Sequence, residues 1–229
     1  MKVTLSFEES ESSDVSIMVD ALRASSTITL ALNKFKKIIP CFTPEEALKL
    51  REEFGGIIAG ERKGEQLEGF ELGNSPSAIK DYETTEEILI LTTSNGTRIL
   101  ENMHSTVLVG SMVNAESVAT KSIELAHDHI DVVMAGVKGK FAIEDYLAAG
   151  EILYWIKENL DDCEISEYAQ TAILATRDYE SLKESFLNSR TAKRLIELGY
   201  MNDVELCCLK NITENVAIYE NGELKLIKD

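Results

Sequence analysis

Short apolar runs alternate with segments of helical period along most of the chain. Val15–Val19 reads as a buried strand and Ser25–Asn33 as the helix that follows it. Lys37–Cys41 is the next strand. Thr43-Pro44-Glu45-Glu46 then opens a helix with a capping box: Thr43 caps, Pro44 takes the first position and Glu46 reaches back. That helix is expected to run to about Phe54 and to stop at Gly55-Gly56. Ile57–Gly60, Ile88–Thr92, Thr106–Val109 and Ile130–Ala135 read as further strands. Helices are expected from the Ser94-Asn95-Gly96 turn to about Met103, over Asn114–His127 and over Ile143–Lys157. Residues 166–198 read as helical throughout. Val216–Tyr219 and Glu223–Ile227, joined through Asn221-Gly222, predict a hairpin with a type I′ turn.

This alternation predicts an α/β fold with three α/β/α layers and a largely parallel sheet, which the terminal hairpin makes mixed. Two strand-to-helix units, 15–33 and 88–103, both end in Ser/Thr-rich turns, so an internal structural duplication stays open. With 229 residues, three prolines and no Gly/Ser-rich linker, a single domain over 1–229 is expected.

Charge narrows the function. Lys and Arg number 23 against 40 Asp and Glu, a net charge of −17. That balance argues against nucleic acid, whose phosphates select Lys and Arg, and against an anionic membrane surface. A small anionic ligand remains compatible if positive charge is concentrated locally. No run approaches the ~20 apolar residues of a membrane span. Met1–Asp14, with one Lys and four acids, reads as having no apolar core and is no signal peptide. Cys41, Cys163, Cys207 and Cys208 fit neither a zinc nor a redox spacing, so free thiols and a cytoplasmic location are expected.

In open α/β sheets ligands bind beyond the carboxyl ends of strands, so the strand exits carry the candidate chemistry. After Val19 comes Asp20-Ala21-Leu22-Arg23-Ala24-Ser25-Ser26-Thr27. Its acid suits a metal; its Arg, its hydroxyls and a helix start suit a phosphate. Alternatively Ser25 is only a helix cap and Asp20 only a turn residue. After Gly60 come Glu61, Arg62, Lys63 and Gly64, then an irregular stretch to Asn74-Ser75-Pro76, which also reads as a helix start. After Leu91 come Thr92-Thr93-Ser94-Asn95-Gly96-Thr97-Arg98, small polar residues suited to an oxyanion or simply to a tight turn. After Ala135 come Gly136, Lys138 and Lys140, then the adjacent acids Glu144 and Asp145. Either acid favours a helix dipole, and one, since both cannot face the same way, can join Asp20 on a divalent cation. Arg23, Arg62, Lys63, Arg98, Lys138 and Lys140 all lie in these exits, as a polyanionic substrate requires.

Other chemistries find less support. There is no C-x5-R signature, no Asp-x-Asp phosphatase pattern and no Gly-x-Ser-x-Gly elbow. His104, His127 and His129 have no metal-ligand spacing. Trp155, Tyr146 and Leu153 read as core, and Asp161, Asp162, Glu164 and Glu167 as a solvated face.

Five segments taken in order resemble the 2-phosphosulfolactate phosphatases of coenzyme M biosynthesis. They are Val19-Asp20-Ala21-Leu22-Arg23-Ala24-Ser25-Ser26-Thr27, Gly60-Glu61-Arg62, Gly69-Phe70-Glu71-Leu72-Gly73-Asn74-Ser75-Pro76, Thr93-Ser94-Asn95-Gly96-Thr97, and Ala135-Gly136 with Glu144-Asp145 and Ala149-Gly150. At position 71 the family pattern more often holds Asp. The resemblance implies a dimer with a three-layer α/β fold and Mg²⁺-dependent hydrolysis of 2-phospho-3-sulfolactate. It implies Asp20, with Glu144 or Asp145 and Glu61, on the metal, and Arg23 with the metal on the phosphoryl oxygens. Asp20 as the attacking nucleophile is the other reading. Ser25, Asn74 and the Ser94, Asn95, Gly96 and Thr97 turn are expected to bind substrate; Arg62, Lys63 and Lys138 or Lys140 are expected to take its carboxylate and sulfonate. A phosphatase of another small anionic ester, a non-catalytic anion binder and an acidic interaction domain are the alternatives.

Overall fold

The computed structural model describes residues 1–93, 99–100 and 103–227. The strands are β1 (Lys2–Phe7), β2 (Val15–Val19), β3 (Lys37–Cys41), β4 (Ile57–Arg62), β5 (Glu65–Gln66), β6 (Ile88–Thr92), β7 (Thr106–Val109), β8 (His129–Met134), β9 (Glu164–Ile165), β10 (Ala217–Glu220) and β11 (Glu223–Leu226). The helices are α1 (Ala24–Ala31), α2 (Pro44–Phe54), α3 (Pro76–Asp81), α4 (Ala115–Leu125), α5 (Ile143–Asn159), α6 (Glu167–Ala175), α7 (Tyr179–Leu187), α8 (Arg190–Glu197) and α9 (Met201–Cys207).

Local chemistry sets the boundaries. The Thr43 hydroxyl accepts the Glu46 amide at 3.1 Å and opens α2, while Glu46 accepts the Phe42 amide at 2.8 Å, one residue upstream of the expected capping-box partner. Ser75 and Pro76 start α3 in the same way. Asn221 and Gly222, at φ 52° and 80°, make the tight turn between β10 and β11. The helical expectation over 166–198 resolves into three helices, capped by Ser166, Asp178 and Ser189.

The sequence pattern predicts no strand before β2, and the structure has one. The amino-terminal segment, read as lacking an apolar core, is β1: Val3 and Leu5 are buried and the strand runs parallel to β8 and β9. Its apolar stretch is short and the acids that follow masked it. The irregular stretch after Gly60 likewise contains the small β4–β5 hairpin.

Among the described residues eleven strands lie in the order β5-β4-β6-β3-β11-β10-β7-β2-β8-β1-β9. Two parallel blocks result, β4-β6-β3 and β7-β2-β8-β1-β9. The β10–β11 hairpin joins them by three antiparallel pairings, so the blocks run in opposite senses. β4 and β2 stand six places apart. A strand-to-strand twist of roughly 20–25° accumulates over six steps to on the order of 130°. That rotation turns the carboxyl ends of two opposed blocks towards a common region. One core lies inside the twist: Met18, Val109, Val133, Ala217, Leu224, Ile38, Leu91 and Ala59 pack with Ile28 of α1 and Ile79 of α3. Outside it, Ala47 of α2 packs on β3, β4 and β6, while α4, α5, α6 and α7 cover the other block. The layers are therefore α/β/α, with a mixed and mostly parallel sheet. Of the second strand-to-helix unit, β6 is described, while residues 94–98 and 101–102 lie outside the described residues.

Candidate active site

Beyond the ends of β2, β4, β6 and β8 opens a cleft of about 770 Å³. Its wall is Asp20, Leu22, Arg23, Glu61, Arg62, Lys63, Gly64, Asn74, Thr93, Val137 and Lys138, closed on one side by Arg190, Thr191, Arg194 and Leu195 of α8.

Asp20 follows β2 and is 7% exposed. Its Oδ1 accepts the Ala24 amide at 3.3 Å. Burial pushes its carboxyl up to about 7. The Ala24 amide opposes the rise, the Glu61 and Glu144 carboxylates add to it, and Arg23 opposes it. Asp145 is raised well above the ordinary carboxylate range by burial, with Asp20 and Glu144 adding to the effect. Its two oxygens accept the Ala21 amide at 2.8 Å and the Gly136 amide at 2.9 Å, so it ties the loop after β2 to the loop after β8. Glu144 is 2% exposed and takes no hydrogen bond among the described residues. The two adjacent acids have different partners, yet both are buried and both lie within electrostatic reach of Asp20. Neither of them lines the cleft wall. Glu61 Oε2 accepts the Gly64 amide at 2.7 Å.

Arg23, at the start of α1, is held on three sides. Nη1 donates to Asp203 Oδ2 at 2.6 Å, Nη2 donates to the Gly64 carbonyl at 2.9 Å, and the guanidinium lies 4.5 Å from the centroid of the Tyr200 ring. The fully buried Asp203 of α9 also accepts the Ser75 hydroxyl at 2.8 Å, the Ser77 amide at 3.1 Å and the Ser77 hydroxyl. Of five N–H donors, Arg23 thus spends two on the protein and keeps others for a ligand. Asn74 is 4% exposed, and its Oδ1 has no donor among the described residues. A buried carbonyl oxygen without a partner costs free energy unless a ligand or cation meets it.

Several candidates take other roles. Ser25 is fully buried; its hydroxyl accepts the Asp20 amide at 2.8 Å and donates to the Met18 carbonyl at 3.3 Å, so it braces the loop rather than lining the cleft. Arg62 reaches the cleft, but its guanidinium donates to the carbonyls of Glu61 and Phe42, both at 2.6 Å, and to the Thr92 hydroxyl at 3.0 Å. Lys138 and Gly139, at φ 52° and 71°, form a tight turn in which Val137 and Lys140 exchange backbone hydrogen bonds. The turn puts Lys138 on the cleft and Lys140 in solvent, away from it. Gly136 makes that turn possible: at φ 61°, a Cβ there would lie 2.5 Å from the Phe7 ring. Glu71 pairs with Arg51 at 2.7 Å and accepts the Ile58 amide, away from the site. Ser94, Asn95, Gly96, Thr97 and Arg98 lie outside the described residues. Burial pushes Cys41 and Cys207 up to about 12, which leaves inert thiols and agrees with the absence of a cysteine nucleophile.

Two features of the site carry little signal in the sequence. Asp203 fits the general layout of the resembled family but stands in no local motif, and Arg190 and Arg194 stand in a segment read only as helical. Their i, i+4 spacing was the one available clue.

Among the described residues no three His, Cys, Asp or Glu side chains form a ready metal cage. Mg²⁺ does not need one, since it takes one or two carboxylates and fills its octahedron with waters and phosphate oxygens. Asp145 spends both oxygens on amides, Glu61 holds the Gly64 amide at 2.7 Å, Asp20 holds the Ala24 amide only at 3.3 Å, and Glu144 takes none among the described residues, so Asp20 and Glu144 are the carboxylates with most capacity for a cation. The burial that raises Asp20 and Asp145, the carboxylate repulsion that adds to it, and the unpartnered Asn74 oxygen on the same cleft wall as Asp20 fit a divalent ion at this place.

A family model described as 2-phosphosulpholactate phosphatase matches residues 3–222. A protein of Methanothermobacter thermautotrophicus named 2-phosphosulfolactate phosphatase is 48% identical over 229 residues, covering 100% of this chain and 97% of the relative. Proteins named probable 2-phosphosulfolactate phosphatase are similar too. That of Clostridium acetobutylicum is 38% identical over 95% of this chain and 94% of its own length. That of Thermotoga petrophila is 36% identical over 90% and 89%.

Proposed function

Because the chain belongs to the 2-phosphosulpholactate phosphatase family, we propose that it is a Mg²⁺-dependent phosphoric monoester hydrolase that converts 2-phospho-3-sulfolactate and water into 3-sulfolactate and phosphate. The observation that carries this reading is one cleft in which buried carboxylates face a fixed guanidinium. A Mg²⁺ ion held by Asp20 and Glu144 would supply positive charge against the phosphoryl oxygens. Arg23 donates its remaining N–H groups to the same oxygens and stabilises the charge that builds on them as the ester P–O bond breaks. Asp203, Gly64 and Tyr200 fix the angle at which it does so. The proton balance closes on the alcohol: water supplies oxygen to phosphorus, and the 3-sulfolactate oxygen leaves protonated. Lys63 and Lys138, on the cleft wall, draw the anionic ester in.

A homodimer, a cytoplasmic location and a place in coenzyme M biosynthesis belong to the same proposal and follow from the family resemblance. Four free cysteines support the location. Among the described residues no helix is long and apolar enough to cross a membrane.

Phosphate release from 2-phospho-3-sulfolactate, with Mg²⁺ and with EDTA, tests the reading. Turnover is expected with Mg²⁺ only, and Asp20→Asn is expected to abolish it. Turnover restricted to other phosphate esters would keep the chemistry and discard the substrate. Tight anion binding without turnover, indifferent to Mg²⁺, would make the protein an anion-binding module.

A further inference from the structure

The cleft has a wall that the phosphoryl chemistry does not use. Arg190, Thr191, Arg194 and Leu195 of α8 line it. The Ser189 hydroxyl accepts the Ala192 amide at 3.1 Å and fixes the start of this helix, while buried Ala192 and Leu195 anchor its inner side. Arg190 and Arg194 are one turn apart and lie on one face, where like charges destabilise a helix. Among the described residues no acid meets them within hydrogen-bond distance. Among the described residues Arg190 has no hydrogen bond or ion pair. Arg194 meets Glu65 at 3.9 Å and Glu197 at 3.8 Å, both beyond hydrogen-bond distance and both exposed. In a chain with 40 acids and 23 bases, two arginines one helical turn apart on a cleft wall, with no carboxylate within hydrogen-bond distance among the described residues, are an arrangement an external anion completes.

Position identifies which anion. Arg23, on the phosphoryl oxygens, bonds the Gly64 carbonyl. Gly64, at φ 91°, packs on α8 so closely that a Cβ would lie 3.0 Å from Leu198 Cδ1 and 3.4 Å from Leu195 Cδ2. The order across the cleft is therefore acid cluster, Arg23, the Gly64 turn, then α8. In 2-phospho-3-sulfolactate the carboxylate is bonded directly to the carbon that carries the phosphoryl oxygen. The sulfonate stands one methylene further out, and its three oxygens can accept from two guanidinium groups at once.

Resting on the phosphatase reading, we propose that Arg190 and Arg194 form a subsite for the substrate's sulfonate and set the preference for a sulfonated ester. The test compares 2-phospho-3-sulfolactate with 2-phospholactate, which lacks only the sulfonate. Arg190→Gln and Arg194→Gln are each expected to lower the ratio of kcat/KM for the two esters by roughly tenfold to a hundredfold, through KM for the sulfonated one. Lys193→Gln removes the same charge from the same helix outside the cleft and is expected to leave the ratio alone. An unchanged ratio in both arginine variants, or an equal fall in Lys193→Gln, overturns the subsite. Thermal melts of each variant confirm folding. If the wild type hydrolyses neither ester, the phosphatase reading fails separately, and calorimetry with the free acids decides the subsite. Tighter binding of 3-sulfolactate than of lactate, lost in Arg190→Gln, supports it; no preference overturns it.

Discussion

At the scale of single residues, Asp203 carries more of the site than its place in the sequence suggests. It is fully buried, pairs with Arg23 at 2.6 Å and accepts from both Ser75 and Ser77. Its charge is the counterweight to a guanidinium that is itself nearly buried. Removing one partner of such a pair leaves the other charge uncompensated, and typically costs about 3–5 kcal/mol. Asp203→Asn keeps the shape and an acceptor for the serines but removes that counter-charge. A loss of about 3–5 kcal/mol in urea-unfolding free energy is expected, with a fall in kcat as Arg23 loses its fixed orientation. A loss below ~1 kcal/mol with kcat intact would show that Gly64 and Tyr200 alone hold the arginine.

At the scale of elements, the strand exits are held in register by single side chains that bridge distant segments. Asp145 does this at the active end of the sheet. Asp14 does it at the opposite end, where its Oδ2 accepts the amides of His127, Asp128 and His129 at 2.7, 2.8 and 3.1 Å and fastens the connection between α4 and β8 to the start of β2. Slight burial pulls the Asp14 carboxyl up, but the three amides outweigh it and set it below its ordinary 3.8. A carboxylate lowered in the folded state stabilises it fully above the unfolded value and loses that contribution as pH falls through the folded one. Asp14→Ala is therefore expected to cost about 1–3 kcal/mol near neutrality, and the gap between wild type and variant, followed by urea unfolding, should close as pH drops below about 4. A gap independent of pH would mean that the ionised carboxylate is not what holds the connection. Sequence reading does well on elements whose signals are local. Thr43, Pro44 and Glu46 announce α2, and Asn221-Gly222 announces the last hairpin. It fails where the signal is long-range. The β10–β11 hairpin inserts between β3 and β7 and reverses one parallel block against the other, and no local pattern encodes that. Asp20, Arg23, Glu61, Lys63 and Lys138 are legible as cleft residues because each stands at or soon after a strand end, and Asn74 because it closes the irregular stretch after Gly60. Ser25 and Lys140 share those exits, yet local backbone geometry turns one inward and the other out to solvent. Arg190, Arg194 and Asp203 join the site from helices, through contacts across more than a hundred residues.

At the scale of the whole molecule, the charge of −17 is distributed with a purpose that the net value hides. Arg23, Lys63, Lys138, Arg190 and Arg194 gather on one cleft, while the acidic surplus repels itself elsewhere. Self-repulsion destabilises a compact state and is screened by salt, whose Debye length falls from ~30 Å at 0.01 M to ~8 Å at 0.15 M. Raising NaCl over that range is expected to raise Tm, because many weak like-charge repulsions outnumber the exposed ion pairs that salt also weakens. The acid cluster beside Asp20 adds a second, local repulsion that screening barely reaches, since Asp20, Glu144 and Asp145 are all buried. MgCl₂ at matched ionic strength is thus expected to raise Tm beyond NaCl, by the amount that selective binding to the folded state contributes. Asp20→Asn is expected to keep the NaCl response and lose the extra increment from Mg²⁺. If wild type and variant respond identically to both salts, the divalent ion acts only on the general surface charge, and Asp20 and Glu144 do not hold it.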